Sequence, residues 1–102
     1  MAAFAGPAIA DEDRDSASKA DAAGTRPSGL TEPRGGKADE LTRVKGIGPV
    51  NEKRLHSLGI FHFDQIAAWG EKEIAWVNTF LTFKGRIERE NWVGQAADLA
   101  KE

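Results

Sequence analysis

The sequence contains no cysteine and no tyrosine, and it has no excess of positive charge. The absence of cysteine excludes a disulfide framework, a thiolate metal site, a cysteine nucleophile and a cysteine-bound iron–sulfur cluster. The 14 Lys and Arg residues are balanced by 16 Asp and Glu, giving a net charge of −2 at pH 7. Nucleic-acid-binding domains that act by bulk attraction usually carry a clear excess of Lys and Arg, so only a local basic patch fits this composition.

Long hydrophobic runs are also missing. No stretch approaches the roughly 20 apolar residues that a membrane span requires. The first ten residues are apolar, but they lack a basic leading region and contain the pair Gly6-Pro7, so they predict neither a signal peptide nor a membrane anchor. We therefore expect a soluble, cytoplasmic chain. Its 102 residues provide for one domain with one core.

The composition changes near residue 38. Residues 1–38 hold ten Ala, five Gly and three Pro, and their large apolar side chains after the initiator methionine are Phe4, Ile9 and Leu30. So little apolar surface cannot offset the roughly 1–2 kcal/mol per residue that ordering a backbone costs. This segment is predicted to be a disordered Ala/Gly/Pro-rich tail or linker, with a binding arm that folds on a partner as the alternative. Residues 39–102, which hold all three Trp and four of the five Phe, are the predicted domain.

The spacing of apolar residues in the domain predicts an all-α fold, a compact bundle of about five short helices. Pro49 suits the first position of a helix, and Gly59 suits the residue after its end. The connections are short, so consecutive helices must pack as neighbours. The predicted helices cover approximately residues 39–45, 49–58, 63–68, 71–81 and 91–101.

The most specific pattern is LTRVKGIGPVNEKRLHSLGI, residues 41–60, in which two helices are joined by a Gly-Ile-Gly turn. Ile47 is expected to pack between the helices, and the flanking glycines allow the close reversal. Backbone N–H groups at the start of the second helix, beside the positive end of its dipole, can hold a phosphate without reading a base. The predicted phosphate, nucleic-acid or partner-binding residues are Lys45, Gly46, Ile47, Gly48, Lys53 and Arg54.

Residues 41–60 resemble the helix-hairpin-helix motif, and the longer run from Pro33 to Leu99 resembles a version of it found in alphaproteobacteria. That version recurs as a C-terminal appendage of the E-type subunit of NADH-quinone oxidoreductase, on a large-subunit ribosomal protein, and in predicted nucleases. The resemblance is strongest to the oxidoreductase appendage, and it implies a bundle of about five helices. The matching stretches, about two-thirds of the chain, are PRGGKADELTRVKGIGP, EKRLHSLGIFHFDQIAAW and FKGRIERENWVGQA.

The resemblance implies a non-catalytic accessory module that docks onto a larger assembly, the respiratory NADH-quinone oxidoreductase, peripherally at the cytoplasmic side of the inner membrane. The E-type subunit proper binds an iron–sulfur cluster through four cysteines, so no redox chemistry or cofactor is implied for this cysteine-free chain. The alternative is weak, sequence-nonspecific binding of the DNA or RNA backbone through the Gly-Ile-Gly hairpin. Against it, Glu52 stands where DNA-binding hairpins often have a small residue, and its carboxylate would repel a phosphate.

A second candidate surface combines an aromatic residue with a basic spot near the last helix: Trp69, Lys84, Arg86 and Arg89. It is a possible docking surface, whereas the ordinary interpretation makes Trp69 part of the core and the cations a solvated turn with ion pairs. Trp76 and Trp92 are predicted core residues. His56 and His62 lie on different elements, so no metal site is predicted. No spacing supports a catalytic triad or paired carboxylates, and an enzyme is not expected.

Overall fold

The computed structural model describes residues 7–102, which form six helices and contain no strand. This confirms the predicted all-helical fold. Three short 3-10 turns precede the second helix, at Asp11–Asp13, Arg34–Gly36 and Leu41–Arg43. The helices are α1 (Arg14–Ala23), α2 (Pro49–Ser57), α3 (Phe63–Ala67), α4 (Glu71–Phe80), α5 (Arg86–Arg89) and α6 (Trp92–Ala100).

Two helix pairs enclose the core: α1 packs along α4, and α3 packs along α6. Trp76 and Trp92 are fully buried, as predicted. The Trp76 ring stacks on Phe80 with centroids 5.0 Å apart, and Phe83 meets Trp92 edge-on at 5.7 Å. Aromatic pairs of this kind add stabilisation beyond their buried area, which helps a domain with a small core.

The starts and ends of the helices follow the local sequence signals. Pro49 is the first residue of α2, and Gly59 after its end has a φ of 87°. Gln65 reaches back from the first turn of α3 and accepts the His62 N–H at 3.0 Å, and Glu73 accepts the Gly70 N–H at 2.8 Å before α4. These side chains satisfy N–H groups that have no partner inside the helix.

The first helix of the hairpin, predicted over residues 39–45, is only the 3-10 turn Leu41–Arg43. Val44 is already extended and Gly46 has a φ of 106°, so an α-helix cannot continue through the turn. Leu41, Val44 and Ile47 are nevertheless all buried, because the reversal at Gly46 returns the chain to the core after the 3-10 turn. A further short helix, α5, was not predicted.

The structure also differs from the prediction of a disordered tail, because α1 lies within residues 1–38. Ala17 and Ala20 of α1 are buried, and Asp21 accepts a 2.7 Å hydrogen bond from the Trp76 indole N–H on α4. The prediction counted large apolar residues and so did not include these alanines. Their small side chains allow the backbones of two helices to approach closely. Residues 1–6 of the predicted tail lie outside the described residues, and the division of the chain at residue 38 stays a prediction.

The segment after α1 continues along the bundle through backbone hydrogen bonds. The Thr25 N–H donates to the Lys72 carbonyl at 3.1 Å, and the Leu30 N–H donates to the Gly59 carbonyl at 2.9 Å. The contacts of residues 14–30 therefore reach both α4 and the end of α2.

Ala20→Asp is expected to destabilise the chain by about 3 kcal/mol, because it places an unpaired carboxylate in the α1–α4 contact. Ser18→Asp on the exposed side of α1 is the matched control, expected to change stability by less than about 0.5 kcal/mol. Urea unfolding followed by tryptophan fluorescence measures both. Equal stabilities of the two variants would show that α1 does not pack on α4.

Candidate nucleic-acid interface

The hairpin turn consists of residues 44–48, between the Leu41–Arg43 turn and α2. Ile47 is 4% exposed and packs in the core, as predicted, and its N–H donates to the Val44 carbonyl at 3.0 Å. The side chain of Ile47 therefore anchors the turn from the inside. The backbone on both sides of Ile47 is left at the surface.

Three backbone N–H groups at the start of α2 make no hydrogen bond to any described residue: those of Gly48, Val50 and Asn51. Pro49 has no N–H, and the Glu52 N–H is the first to bond within the helix, to Gly48 O at 2.9 Å. Unpaired N–H groups beside the positive end of a helix dipole form a natural anion site. Val50, beside them, is 73% exposed.

The side-chain amide of Gln95 on α6 holds the turn in place. Gln95 Oε1 accepts the Lys45 N–H at 2.9 Å, while Gln95 Nε2 donates to the Lys45 carbonyl at 3.2 Å and the Glu90 carbonyl at 2.8 Å. One amide group thus joins the hairpin turn to the end of α5. Gln95 was not among the predicted site residues, and nothing in its sequence neighbourhood distinguishes it from any other helical glutamine.

The two glycines of the turn have different roles. Gly46 has a φ of 106°, and a Cβ at this position would overlap the Glu90 carboxylate and lie 2.8 Å from Trp92 Nε1. Gly48 has a φ of −91°, and a Cβ there would meet no atom within 4 Å. The predicted need for a glycine in the reversal is therefore met by Gly46 alone. Gly48 leaves open space in front of the amides.

The Glu90 carboxylate lies behind the turn, among three groups that stabilise its negative charge. Its Oε1 accepts hydrogen bonds from Arg86 Nε at 2.9 Å and from Trp92 Nε1 at 3.2 Å. Desolvation raises the pKa of Glu90, but the hydrogen bonds from Trp92 and Arg86 and the charges of Arg86 and Arg89 outweigh it, so the net pKa is lowered. The carboxylate is ionised at neutral pH and neutralised locally by these cations.

The structure separates the predicted basic residues of the hairpin. Lys45 and Lys53 are exposed and form no ion pair with any residue from 7 to 102. Arg54 points away from the turn: its guanidinium donates to the Phe80 carbonyl at 3.0 Å and lies 4.9 Å from the centre of the Phe80 ring. Glu52, expected to repel a phosphate, accepts the Thr42 N–H at 3.3 Å and so supports the preceding turn.

The second candidate surface does not form one site. Trp69 is 6% exposed and lines a groove of about 820 Å³ beside residues 25–30, so it belongs mainly to the core. Arg86 stacks over Phe83, 5.0 Å from the ring centre, next to Glu90. Lys84 and Arg89 are exposed. Arg86 thus lies near the hairpin turn through its bond to Glu90, whereas Lys84 lies beside Ser16 and Lys19 of α1 and Trp69 lines a different surface.

No helix in the described part of the chain is long and apolar enough to cross a membrane. Nor do three His, Asp or Glu side chains converge there in an arrangement that could hold a metal ion. His62 instead serves the fold, because its Nε2 accepts the Arg34 N–H at 2.9 Å.

A family model described as the RS2/RL21/YNQ2 HHH domain matches residues 41–100, which include the hairpin, Glu90 and Gln95. The chain belongs to this helix-hairpin-helix family. The helix-hairpin-helix resemblance seen in residues 41–60 is thereby confirmed. No solved structure matches the chain.

Ribosomal proteins are among the curated relatives of this domain. The chain is 52% identical to large ribosomal subunit protein bL21 of Jannaschia sp. over 79 residues, 76% of this chain and 31% of that protein. It is 52% identical to bL21 of Roseobacter denitrificans over 64 residues, 63% and 30% of the two chains. Small ribosomal subunit protein uS2 of Methylobacterium nodulans is 43% identical over 67 residues, which are 66% of this chain and 19% of that protein. The chain spans less than a third of the length of each of these relatives.

These relatives overturn the expected partner and function. The sequence resemblance pointed to an appendage of the E-type oxidoreductase subunit, docked on the respiratory complex. That interpretation is wrong, because the chain is similar to ribosomal proteins of both subunits, bL21 and uS2. The chain is similar to proteins of two different ribosomal subunits, so the motif by itself carried no information about which assembly it joins. The alternative, contact with a nucleic-acid backbone, fits these relatives better.

Gly46→Ala should destabilise the fold by about 1–3 kcal/mol, because the substituted residue must keep a positive φ and its Cβ overlaps Glu90. Gly48→Ala should stay within about 1 kcal/mol of the wild type, since the lower chain entropy of the unfolded state offsets a poorer N-cap. Urea unfolding of the two variants tests this difference. A Gly48→Ala variant as unstable as Gly46→Ala would contradict the geometry described for the turn.

The lowered pKa of Glu90 predicts a pH-dependent contribution to stability. In the unfolded chain the group has its ordinary pKa of 4.5, so the contribution of the carboxylate is complete above that pH. It is lost as the pH falls through the lower pKa of the folded state. The difference in unfolding free energy between wild type and Glu90→Gln should therefore shrink on acidification from about pH 7 to about pH 3. A constant difference across this range would contradict the assignment.

Proposed function

We propose that this chain is a non-catalytic module that binds the backbone of ribosomal RNA through its hairpin turn. The observation that carries the proposal is the set of three N–H groups at the start of α2, from Gly48, Val50 and Asn51, that bond to no described residue. Two exposed cations are close in sequence, Lys45 in the turn and Lys53 in α2. N–H groups and lysines recognise phosphate oxygens but carry no information about the base, so binding should not depend on sequence.

The relatives support RNA as the partner. Their names assign bL21 to the large ribosomal subunit and uS2 to the small one. A domain shared by proteins of two different subunits is expected to bind a chemical group that both subunits contain. The phosphate backbone of RNA is such a group. A ribosomal role also supports a cytoplasmic, non-enzymatic protein.

The charge distribution limits how tight this binding can be. The domain itself has nine Lys and Arg and ten Asp and Glu between residues 39 and 102, so there is no general attraction to RNA. A hairpin with a few phosphate contacts is expected to bind on the micromolar scale, with an affinity that falls roughly 10- to 100-fold between about 50 and 200 mM salt.

The decisive variant is Gly48→Asp. Gly48 is the N-cap of α2, its backbone conformation is open to any residue, and a Cβ there meets no atom within 4 Å. An aspartate can therefore cap the helix, with a gain of about a few tenths of a kcal/mol over glycine. The same carboxylate would accept hydrogen bonds from the free N–H groups, and its negative charge would repel a phosphate. We expect RNA binding to fall at least tenfold while stability is kept or increased.

The assay is fluorescence anisotropy of a labelled duplex RNA of mixed sequence, titrated with the full chain at both salt concentrations. Gly48→Asn is the matched variant, since it caps the helix without a charge and should bind better than Gly48→Asp. Lys45→Glu should weaken binding strongly, whereas Lys72→Glu at the start of α4 should have a small effect. Gly48→Asp binding as well as the wild type, or equal effects of Lys45→Glu and Lys72→Glu, would refute the proposal.

A further inference from the structure

The groove beside Trp69 is separate from the hairpin turn, because no residue of that turn lines it. One wall is formed by residues 25–30, which belong to no helix, and the remaining wall by residues of α3, of the connection after it and of α4. The groove has a volume of about 820 Å³, and its apolar lining residues are Pro27, Leu30, Ala68 and Trp69. A ligand that fills this space must itself be partly apolar.

Two buried N–H groups of residues that line the groove have no hydrogen-bond partner among the described residues: Trp69 Nε1 and Arg26 Nε. The other two tryptophans differ, because Trp76 Nε1 donates to Asp21 and Trp92 Nε1 donates to Glu90. Trp69 is itself 6% exposed, and its Nε1 atom is closed to solvent. A buried donor without an acceptor destabilises a fold, so a ligand that brings an oxygen to these atoms is favoured.

Backbone hydrogen bonds hold the wall of residues 25–30 at its two ends only. The Thr25 N–H donates to the Lys72 carbonyl, and the Leu30 N–H donates to the Gly59 carbonyl. Between these bonds, no backbone N–H or carbonyl of residues 26–29 is bonded to a described residue. The wall can therefore shift to admit a ligand to the closed N–H groups. It also offers that ligand backbone donors and acceptors of its own.

The two cations that line the groove differ in their partners. Arg34 is paired with Asp64, whereas Arg26 forms no ion pair with any residue from 7 to 102. Arg26 Nη2 instead donates to the Pro7 carbonyl at 2.6 Å. Burial lowers the pKa of Arg26, and the negative charge of Asp21 offsets this effect only in part. A carboxylate brought into the groove would complete the compensation, so the charges favour a ligand with an acidic group.

We propose that this groove binds an extended peptide segment of another protein, with an Asp or Glu side chain that pairs with Arg26. A peptide backbone offers carbonyls to the unpaired N–H groups and N–H groups to the unpaired carbonyls of residues 26–29, as when a strand is added to an open edge. An RNA backbone offers mainly acceptors, and the apolar lining suits side chains better than phosphates. Because the hairpin takes no part, RNA bound at the turn leaves the groove free for a protein.

Selection of peptides on the full chain provides the probe. A phage-displayed library of random linear peptides is bound to the immobilised wild-type chain, and the retained peptides are sequenced. We expect the enriched peptides to share an acidic residue flanked by apolar ones. The most enriched peptide is then synthesised in two forms, one with the acidic residue and one with the corresponding amide, and the affinity of each is measured by calorimetry.

Arg26→Gln and Arg34→Gln form a matched pair of variants, since each removes a cation that lines the groove. Arg26→Gln should weaken binding of the acidic peptide by at least about tenfold and leave the amide peptide nearly unchanged. Arg34→Gln should weaken the acidic peptide by less than about threefold, because the charge of Arg34 already has Asp64 as its partner. Urea unfolding verifies that both variants fold.

A second measurement needs no variant, because it uses the indole N–H signals of the wild-type chain in an NMR titration. The Trp69 Nε1–H signal should shift when the acidic peptide is added. The signals of Trp76 and Trp92 should stay in place, since both of these indoles already have an acceptor.

The proposal is overturned if no peptide is enriched, or if the enriched peptides bind Arg26→Gln as tightly as the wild type. It is equally overturned if they shift the hairpin amides instead of the Trp69 indole, or if they displace duplex RNA. Peptide binding that appears only after removal of residues 1–6 would assign the groove to this chain's own leading segment, against the proposal. Gly48→Asp should bind the peptide like the wild type, so failure of the proposed RNA contact leaves this site standing.

Discussion

The side-chain amide of Gln95 is the contact on which the candidate site depends. It bonds to both the N–H and the carbonyl of Lys45 and to the carbonyl of Glu90, so it fixes the hairpin turn against the corner between α5 and α6. Gly46 permits this close approach because it has no Cβ and adopts a positive φ. These contacts also determine the position of the free N–H groups, because they restrict the backbone from Lys45 to the start of α2.

A chain with almost no net charge can still present a basic surface if its ion pairs are arranged unevenly. Arg43 is paired with Glu102, Arg54 is held by Phe80, and Arg86 is paired with Glu90, so these arginines serve the fold. Lys45 in the hairpin turn and Lys53 in α2, by contrast, are exposed and pair with none of the described residues. The net charge therefore underestimates how well this domain can bind an anion, because the arrangement of its ion pairs determines which cations remain unpaired.

The sequence predicted the parts of the structure that depend on local signals. Pro49, Gly59 and the buried Ile47 belong to patterns whose spacing is characteristic, and they lie where expected. Gln95 could not be predicted, because its role depends on a residue fifty positions away. The α1 helix was missed because buried alanines look like a linker in composition. The partner was assigned to the wrong assembly, because the same domain is shared by different proteins, among them bL21 and uS2.

The most direct measurement of the central claim is an amide NMR titration of the full chain with duplex RNA. The account predicts that the largest shifts occur at the N–H groups of Gly48, Val50 and Asn51, with little change around Trp69. Shifts concentrated at the groove beside Trp69, or no shifts at low salt, would contradict it.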